Sequence, residues 1–286
     1  MRRGLALTLT VAMLGSLLAG CGSSGGGSAP KADATAAAAP AGGGTEEVTT
    51  PDKVLKFTDQ NAEDSPAGMW EQKFADLVKE YTKGHIEVEL YFNNTLCGYD
   101  IQPLQAGICD FIQYVPSSAG DLDSRLGAFD APYIYRDADH RLAVFDPFNS
   151  EPLKVINEAL KDDGVMLLSS FNSGYRQITC NFPIRNLSDM KGAKIRVVPS
   201  DLYQQLFTAF GAAATPMAFS EVPSALITNV IDGQENPYSV IVSSALYEVQ
   251  KYCMETNHLP TNHGLWMNRN TYESLTPEQQ EAVLKA

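Results

Sequence analysis

The sequence predicts an α/β protein organised as two lobes. Strand-like and helix-like runs alternate from residue 53 onward, and a second alternating series starts near residue 174. The length, 286 residues with 44% hydrophobic content, is enough for two domains, each with its own core.

The first residues stand apart from that pattern. "MRR" followed by the uncharged apolar run of residues 4–20 reads as an export signal, somewhat short for a membrane span. Leu18-Ala19-Gly20-Cys21 resembles the lipobox of bacterial lipoproteins, which makes Cys21 the expected lipidation site. Residues 21–50 are Gly-, Ala- and Ser-rich with few large apolar side chains, so they are expected to be a flexible tether. A multiply acylated cysteine would anchor the globular body at the outer face of the cell membrane or in the periplasm. Losing Arg2 and Arg3 with residues 1–20 moves the formal charge from −13 to −15, which argues against a nucleic-acid partner.

"KVLKFT" is a short strand. Trp70, Phe74, Leu77, Val78 and Tyr81 then recur at helical spacing before Gly84, a C-terminal stop. In "HIEVELYF" the alternation of Ile86, Val88, Leu90 and Phe92 with polar neighbours predicts a half-buried strand. A helix is expected over residues 101–106, a strand at "CDFIQYV", a helix over 153–160 and a buried strand over 165–171. The second series reads "YRQITCNF" and "AKIRVV" as strands. The helix "SDLYQQLFTAFG" follows, with Ser200 as N-cap, Tyr203, Leu206, Phe207 and Phe210 on one face, and Gly211 past its end. "EVPSALITN" is a short helix with Pro223 in its first turn, and "VIDGQENPY" leads out along a strand. Thr276-Pro277-Glu278-Gln279 carries a capping signal only ten residues before the end. A C-terminally shortened version of a longer protein is therefore expected.

No phosphate loop, nucleophile elbow or HExxH motif is present in the sequence. Cys253, His258 and His263 stand five residues apart, off any common helix face, with Pro260 between the histidines. They read as ordinary side chains, and no metal is expected. Cys97, Cys109, Cys180 and Cys253 allow three full pairings, among which the sequence does not choose. Four buried small hydrophobes are an equal reading. Arg176 and Arg196 are more informative, because each sits in an apolar strand run where a cation is costly unless paired or facing an anion. Their guanidinium forks suit a carboxylate ligand, and they equally suit the many acidic side chains of the chain itself.

"KGAKIRVVPS", "GAAATPMAFSEVPSAL", "VIDGQENP" and "YEVQKYCMETNH" occur in the order and spacing of a known family. They resemble the solute-binding proteins of tripartite ATP-independent periplasmic (TRAP) transporters, the DctP-like family. The resemblance runs back through "FADLVKEYTKGHIEVELYF" and covers nearly everything from about residue 53 to the end. It implies a two-lobed periplasmic-binding-protein-like fold with crossing hinge segments, lobe one at residues 51–173 plus 262–286 and lobe two at 174–261. It also implies capture of a small organic acid, such as a dicarboxylate, and its delivery to integral-membrane TRAP permease subunits. The receptor would be a monomer that needs no cofactor, performs no catalysis and touches the membrane only through its lipid anchor.

Matched residue by residue, Arg196 corresponds to the arginine that pairs with the ligand carboxylate, and Arg176 to a second arginine near it. Phe219 corresponds to an aromatic packed on the ligand and Asn236 to a polar contact from the second lobe. Gln60 and Gln113 fall where first-lobe contacts vary. Within "GQENP", Asp232 and Gly233 are expected to turn the chain, Gln234 and Glu235 to hold the crossover, and Pro237 to fix its exit. Two departures stand out: "LCGYD" replaces a shorter "LG" segment, and the long C-terminal helices of the family are missing. The rival readings are a binding lipoprotein of an ATP-driven importer, a ligand sensor and, against the absence of any catalytic constellation, an enzyme on the same fold.

Overall fold

The structure, a computed structural model, describes residues 50–286; the export signal, Cys21 and nearly all of the tether fall outside these. β1 (Lys53–Thr58) leads to α1 (Pro66–Tyr81). Ser65 caps this helix by accepting from Gly68 N at 3.1 Å, and Pro66 sits in its first turn, where no donor is needed. Gly68 is required by space, since a Cβ there would stand 2.5 Å from the Ala62 and Glu63 carbonyl oxygens. Phe74 and Val78 face the core as their spacing predicts, and so, unexpectedly, does Glu71.

β2 (Ile86–Tyr91), α2 (Gln102–Gln105), β3 (Phe111–Tyr114), α3 (Ala138–Val144) and α4 (Glu151–Ala159) follow. The two strands expected at residues 165–171 and 175–182 are one: β4 runs unbroken from Val165 to Cys180. The chain continues through β5 (Lys194–Val197), α5 (Asp201–Ala209), β6 (Ala213–Pro216), α6 (Val222–Ile227), β7 (Gly233–Pro237) and α7 (Tyr238–Ser243). It ends with β8 (Tyr252–Met254), β9 (Pro260–Asn268), α8 (Arg269–Glu273) and α9 (Pro277–Lys285), the last capped by Thr276 in a complete capping box.

Strand order is β2-β1-β3-β9-β4-β7-β5-β6, with β8 also on β4. β4 joins the two halves: Val165 to Tyr175 pair antiparallel with β9, whereas Arg176 to Cys180 pair with β7 and β8. The register shifts between Asn172 and Tyr175, and there Gly174 adopts φ +114, a backbone state that a side chain would strain. On one face of the first half, Phe57, Phe74 and Phe111 pack with ring centroids 5.3–6.0 Å apart, each worth about 1.5–3 kcal/mol of burial. In the second half Tyr203 and Phe207 of α5 pack on Ile195 and Val197 of β5.

Three local expectations change. Ser200 precedes α5, but its hydroxyl does not cap it; it donates to Ser117 O, 3.0 Å away across the junction of the halves. Gly233 does not turn the chain: the bend ends at Asp232, and "GQENP" is itself a fully buried strand. Gly233 is there because a Cβ would meet Thr179 O at 2.3 Å. The cysteines are not uniformly buried, for Cys97 is half-buried and Cys253 exposed.

Candidate ligand-binding site

β1 pairs parallel with β2 and β3 in the first half and β5 with β6 and β7 in the second, while β3 is antiparallel to β9 and β7 to β4; residues in or just past these strands meet in one crevice. Ligands of open α/β sheets lie in crevices of this kind. Gln60 follows the end of β1, Gln113 is in β3, Arg196 in β5, Asn236 in β7, and Phe219 follows β6 in a 3-10 turn. Together with Arg176 of β4, all six line one cavity, joined there by Asn61, Tyr99, Thr261 and His263. Wider grooves elsewhere on the described surface contain no buried cation.

The two arginines differ sharply. Arg176 is 2% exposed and bonded on several sides. It pairs with both carboxylate oxygens of Glu235 (Nη2 to Oε1, 2.8 Å) and donates through Nη2 to Glu235 O (2.7 Å) and Asn236 Oδ1 (3.0 Å). Burial opposes its charge, yet Glu235 more than offsets this and raises its affinity for the proton. Glu235 in turn is held below the usual carboxylate range: burial acts upward, but Arg176 and His258 overcome it. His258 is thus a partner of Glu235, at 3.2 Å, rather than a metal ligand.

Arg196 is equally buried, but among the described residues no carboxylate lies within ion-pair distance. Its Nε and Nη2 donate only to Met217 O, at 3.0 and 2.7 Å, and the guanidinium lies over the Phe219 ring, 5.7 Å from its centroid. Burial, aided by the neighbouring Arg176, brings its pKa down to about 10 against the pull of Glu235. A buried, positively charged fork with no carboxylate within ion-pair distance is an anion site by its chemistry.

The opposite wall is polar and incompletely satisfied. Gln60 Oε1 and Gln113 Nε2 are buried without partners; Gln113 Oε1 is met at 3.5 Å by Asn61 Nδ2, itself held on Asp59. Asn236 lines the cavity, but its amide is committed: Oδ1 accepts from Arg176, and Nδ2 donates to Gln234 Oε1 at 2.5 Å. His263 is hydrogen-bonded to Ser173 Oγ through Nε2 (2.8 Å), while Nδ1 has no partner. Burial and the nearby Arg176 and Arg141 push its pKa down to about 3, so it is neutral at ordinary pH.

Asn61, Tyr99 and Thr261 escaped the sequence analysis, and His263 was read there as an ordinary side chain. Two of them lie in β9, where Pro-Thr-Asn-His-Gly shows no apolar periodicity although all nine strand residues are buried. Apart from His263 Nδ1, its polar side chains meet long-range partners instead: Asn262 bonds Asp130 (2.9 Å) and Phe129 O (2.8 Å), and Arg141 bonds Asn262 (2.8 Å).

Residues 57–286 match the family model of bacterial extracellular solute-binding proteins, family 7. The chain belongs to that family. It is 31% identical over 236 residues to the C4-dicarboxylate-binding protein DctB of Bacillus subtilis, covering 82% of this chain and 67% of that one. Among solved structures it is similar to a TRAP periplasmic solute binding protein of Roseobacter denitrificans with bound L-galactonate. That match has TM-score 0.76 and 30% identity, and covers 83% of this chain and 79% of the other. A second such protein, from Sulfitobacter sp. with bound β-D-galacturonate, gives TM-score 0.75 and 30% identity over 82% and 78% of the two chains. The family 7 member described here therefore has the two-lobed fold of TRAP solute-binding proteins, and the cavity lies at the lobe junction.

Proposed function

We propose that this chain captures a small hydroxylated carboxylate, of the sugar-acid kind, and hands it to a membrane permease. The observation that carries the reading is Arg196, buried beside Phe219 with no carboxylate of its own and facing a wall where Gln60 Oε1 and Gln113 Nε2 lack partners. Arg196 would take the carboxylate and Phe219 would cover its apolar side. Gln60 would accept from a ligand hydroxyl and Gln113 would donate to one; both are otherwise left with unmet hydrogen-bonding capacity at a cost of about 1–3 kcal/mol each. Arg176 and Asn236 contribute an ordered second-lobe wall, with Arg176 neutralised by Glu235 and therefore secondary to Arg196 as an anion contact.

Galactonate and galacturonate in solved relatives, and C4-dicarboxylate in the Bacillus relative's name, support the acid class. Among the described residues lining the cavity, one cation without a carboxylate partner favours a monocarboxylate bearing hydroxyls over a dicarboxylate. The lobes would divide near residues 173 and 262, on the paired strands β4 and β9, and closure about them would deliver the acid without turnover. Anchoring through Cys21 and a monomeric state complete the proposal. A calorimetric screen of aldonates, uronates and C4-dicarboxylates tests it. Micromolar or tighter binding of a hydroxy acid, recovered chemically unchanged, is expected; binding of none of them, or conversion of the acid, refutes it.

A further inference from the structure

The four cysteines of the described chain are not equivalent, and the sheet separates them. Thr179 pairs with Cys253 and Cys180 with Tyr252 across β4 and β8. Side chains alternate along a strand, so Cys180 and Cys253 project to opposite faces and are not placed to bridge. Cys180 is turned inward and donates to Phe182 O at 2.6 Å, whereas Cys253 is exposed.

Cys97 and Cys109 are placed differently. Cys109 is fully buried two residues before β3, in the apolar cluster on which half-buried Cys97 also packs, and the neighbouring Cys97 thiol adds to burial in pushing the Cys109 thiol up. They bracket residues 98–108, the segment that departs from the family pattern at "LCGYD". That segment presents Tyr99 to the ligand cavity. Tyr99 Oη accepts from Val115 N at 3.0 Å, and its ring lies 4.5 Å from that of Tyr114. Both partners belong to the β3 region, so the position of Tyr99 depends on how firmly residues 98–108 are held against that strand.

We propose that Cys97 and Cys109 form a disulfide after export and that this bond clamps the Tyr99 segment onto the wall of the binding cavity. An extracellular protein meets conditions in which such bonds persist. The half-buried Cys97 thiolate would attack the disulfide of a thiol–disulfide oxidoreductase, giving a mixed disulfide and releasing one thiolate of that oxidant. Cys109, losing its proton to solvent, would then displace the second oxidant sulphur. The Cys97–Cys109 bond forms, two protons leave the protein, and the two electrons reside on the oxidant's dithiol.

The test uses the full chain equilibrated either with oxidised glutathione or with a phosphine reductant, alkylated under denaturing conditions and digested with chymotrypsin. In the oxidised sample, mass spectrometry is expected to find the peptides of Cys97 and Cys109 joined and those of Cys180 and Cys253 alkylated. Reduction is expected to lower the melting temperature by roughly 5–10 °C and to speed amide exchange over residues 98–108. The Cys97→Ser/Cys109→Ser variant should show the reduced behaviour in both conditions. Alkylation of both Cys97 and Cys109 in the oxidised sample, or a cross-link to Cys253, overturns the pairing. A bond that forms without changing exchange over residues 98–108 overturns the clamp. None of these readouts involves a ligand, so they stand or fall separately from the carboxylate reading.

Discussion

Arg176 and Arg196 offer an internal contrast that separates a structural cation from a ligand-binding one. Replacing Arg176 with Met leaves Glu235 fully buried with His258 as its remaining side-chain hydrogen-bond partner. Breaking a buried pair from one side costs about 3–5 kcal/mol, which for a chain of this size lowers the melting temperature by roughly 6–20 °C. Replacing Arg196 with Met has opposing effects on the free protein. It removes a desolvated cation that has no carboxylate, which is stabilising, and it strands Met217 O, which costs about 1–3 kcal/mol. The two nearly cancel, so the melting temperature without ligand should move by only about 2–4 °C. Ligand binding responds the other way. Loss of a buried guanidinium–carboxylate contact is worth about 2–5 kcal/mol, or roughly 30- to several-thousand-fold in Kd. Differential scanning fluorimetry of the free variants and calorimetry with the best acid from the screen measure both sides. If Arg196→Met destabilises the free protein as much as Arg176→Met does, or keeps the parental Kd, the assignment of Arg196 as the free cation of the site is wrong.

Three further outcomes follow from the same geometry. Gly233→Ala drives a Cβ to 2.3 Å from Thr179 O and 2.7 Å from Cys180 Cβ, and should cost about 1–3 kcal/mol in denaturant unfolding. Asp59 and Glu71 are buried together, and burial raises both carboxyls, Glu71 well above its usual range with the Asp59 charge adding to the effect. The native state therefore keeps a proton that the unfolded chain gives up near its ordinary pKa of about 4.3. Stability should fall as pH rises through the native Glu71 transition, and Glu71→Gln should flatten that slope in midpoint measurements at rising pH. His263, with its pKa pushed down to about 3, gives the opposite limb. Below about pH 6.5 the unfolded chain binds a proton that the native state refuses, so stability drops with acid, and His263→Gln should make that limb shallower by up to ~1.4 kcal/mol per pH unit.

The α1 and α5 faces, the alternation in β2 and the cap of α9 were legible because each is a local pattern of apolar spacing or capping chemistry. β9 was not, because Thr261, Asn262 and His263 owe their burial to partners such as Asp130, Arg141 and Ser173, far away in sequence. The unity of β4 was hidden for a related reason. Asn172, Ser173 and Gly174 read as a break, yet they are the stretch where the strand exchanges one set of neighbours for another, with Gly174 in a positive-φ state.

The arginines make the same point at the site itself. Both sit on apolar strands, and the sequence offered each the same two fates, an internal acid or a ligand. What decides between them is register. Arg176 lies opposite Pro237 on β7, within reach of Glu235 and Asn236, and so finds its counter-ion inside the protein. Arg196 lies between Gln234 on β7 and Thr215 on β6, neither of them charged, and finds only the Met217 carbonyl. A one-residue slip of β7 would turn Glu235 to the other face. The free cation of the cavity is thus a consequence of strand pairing, which explains why residue type alone could nominate Arg196 but could not separate it from Arg176.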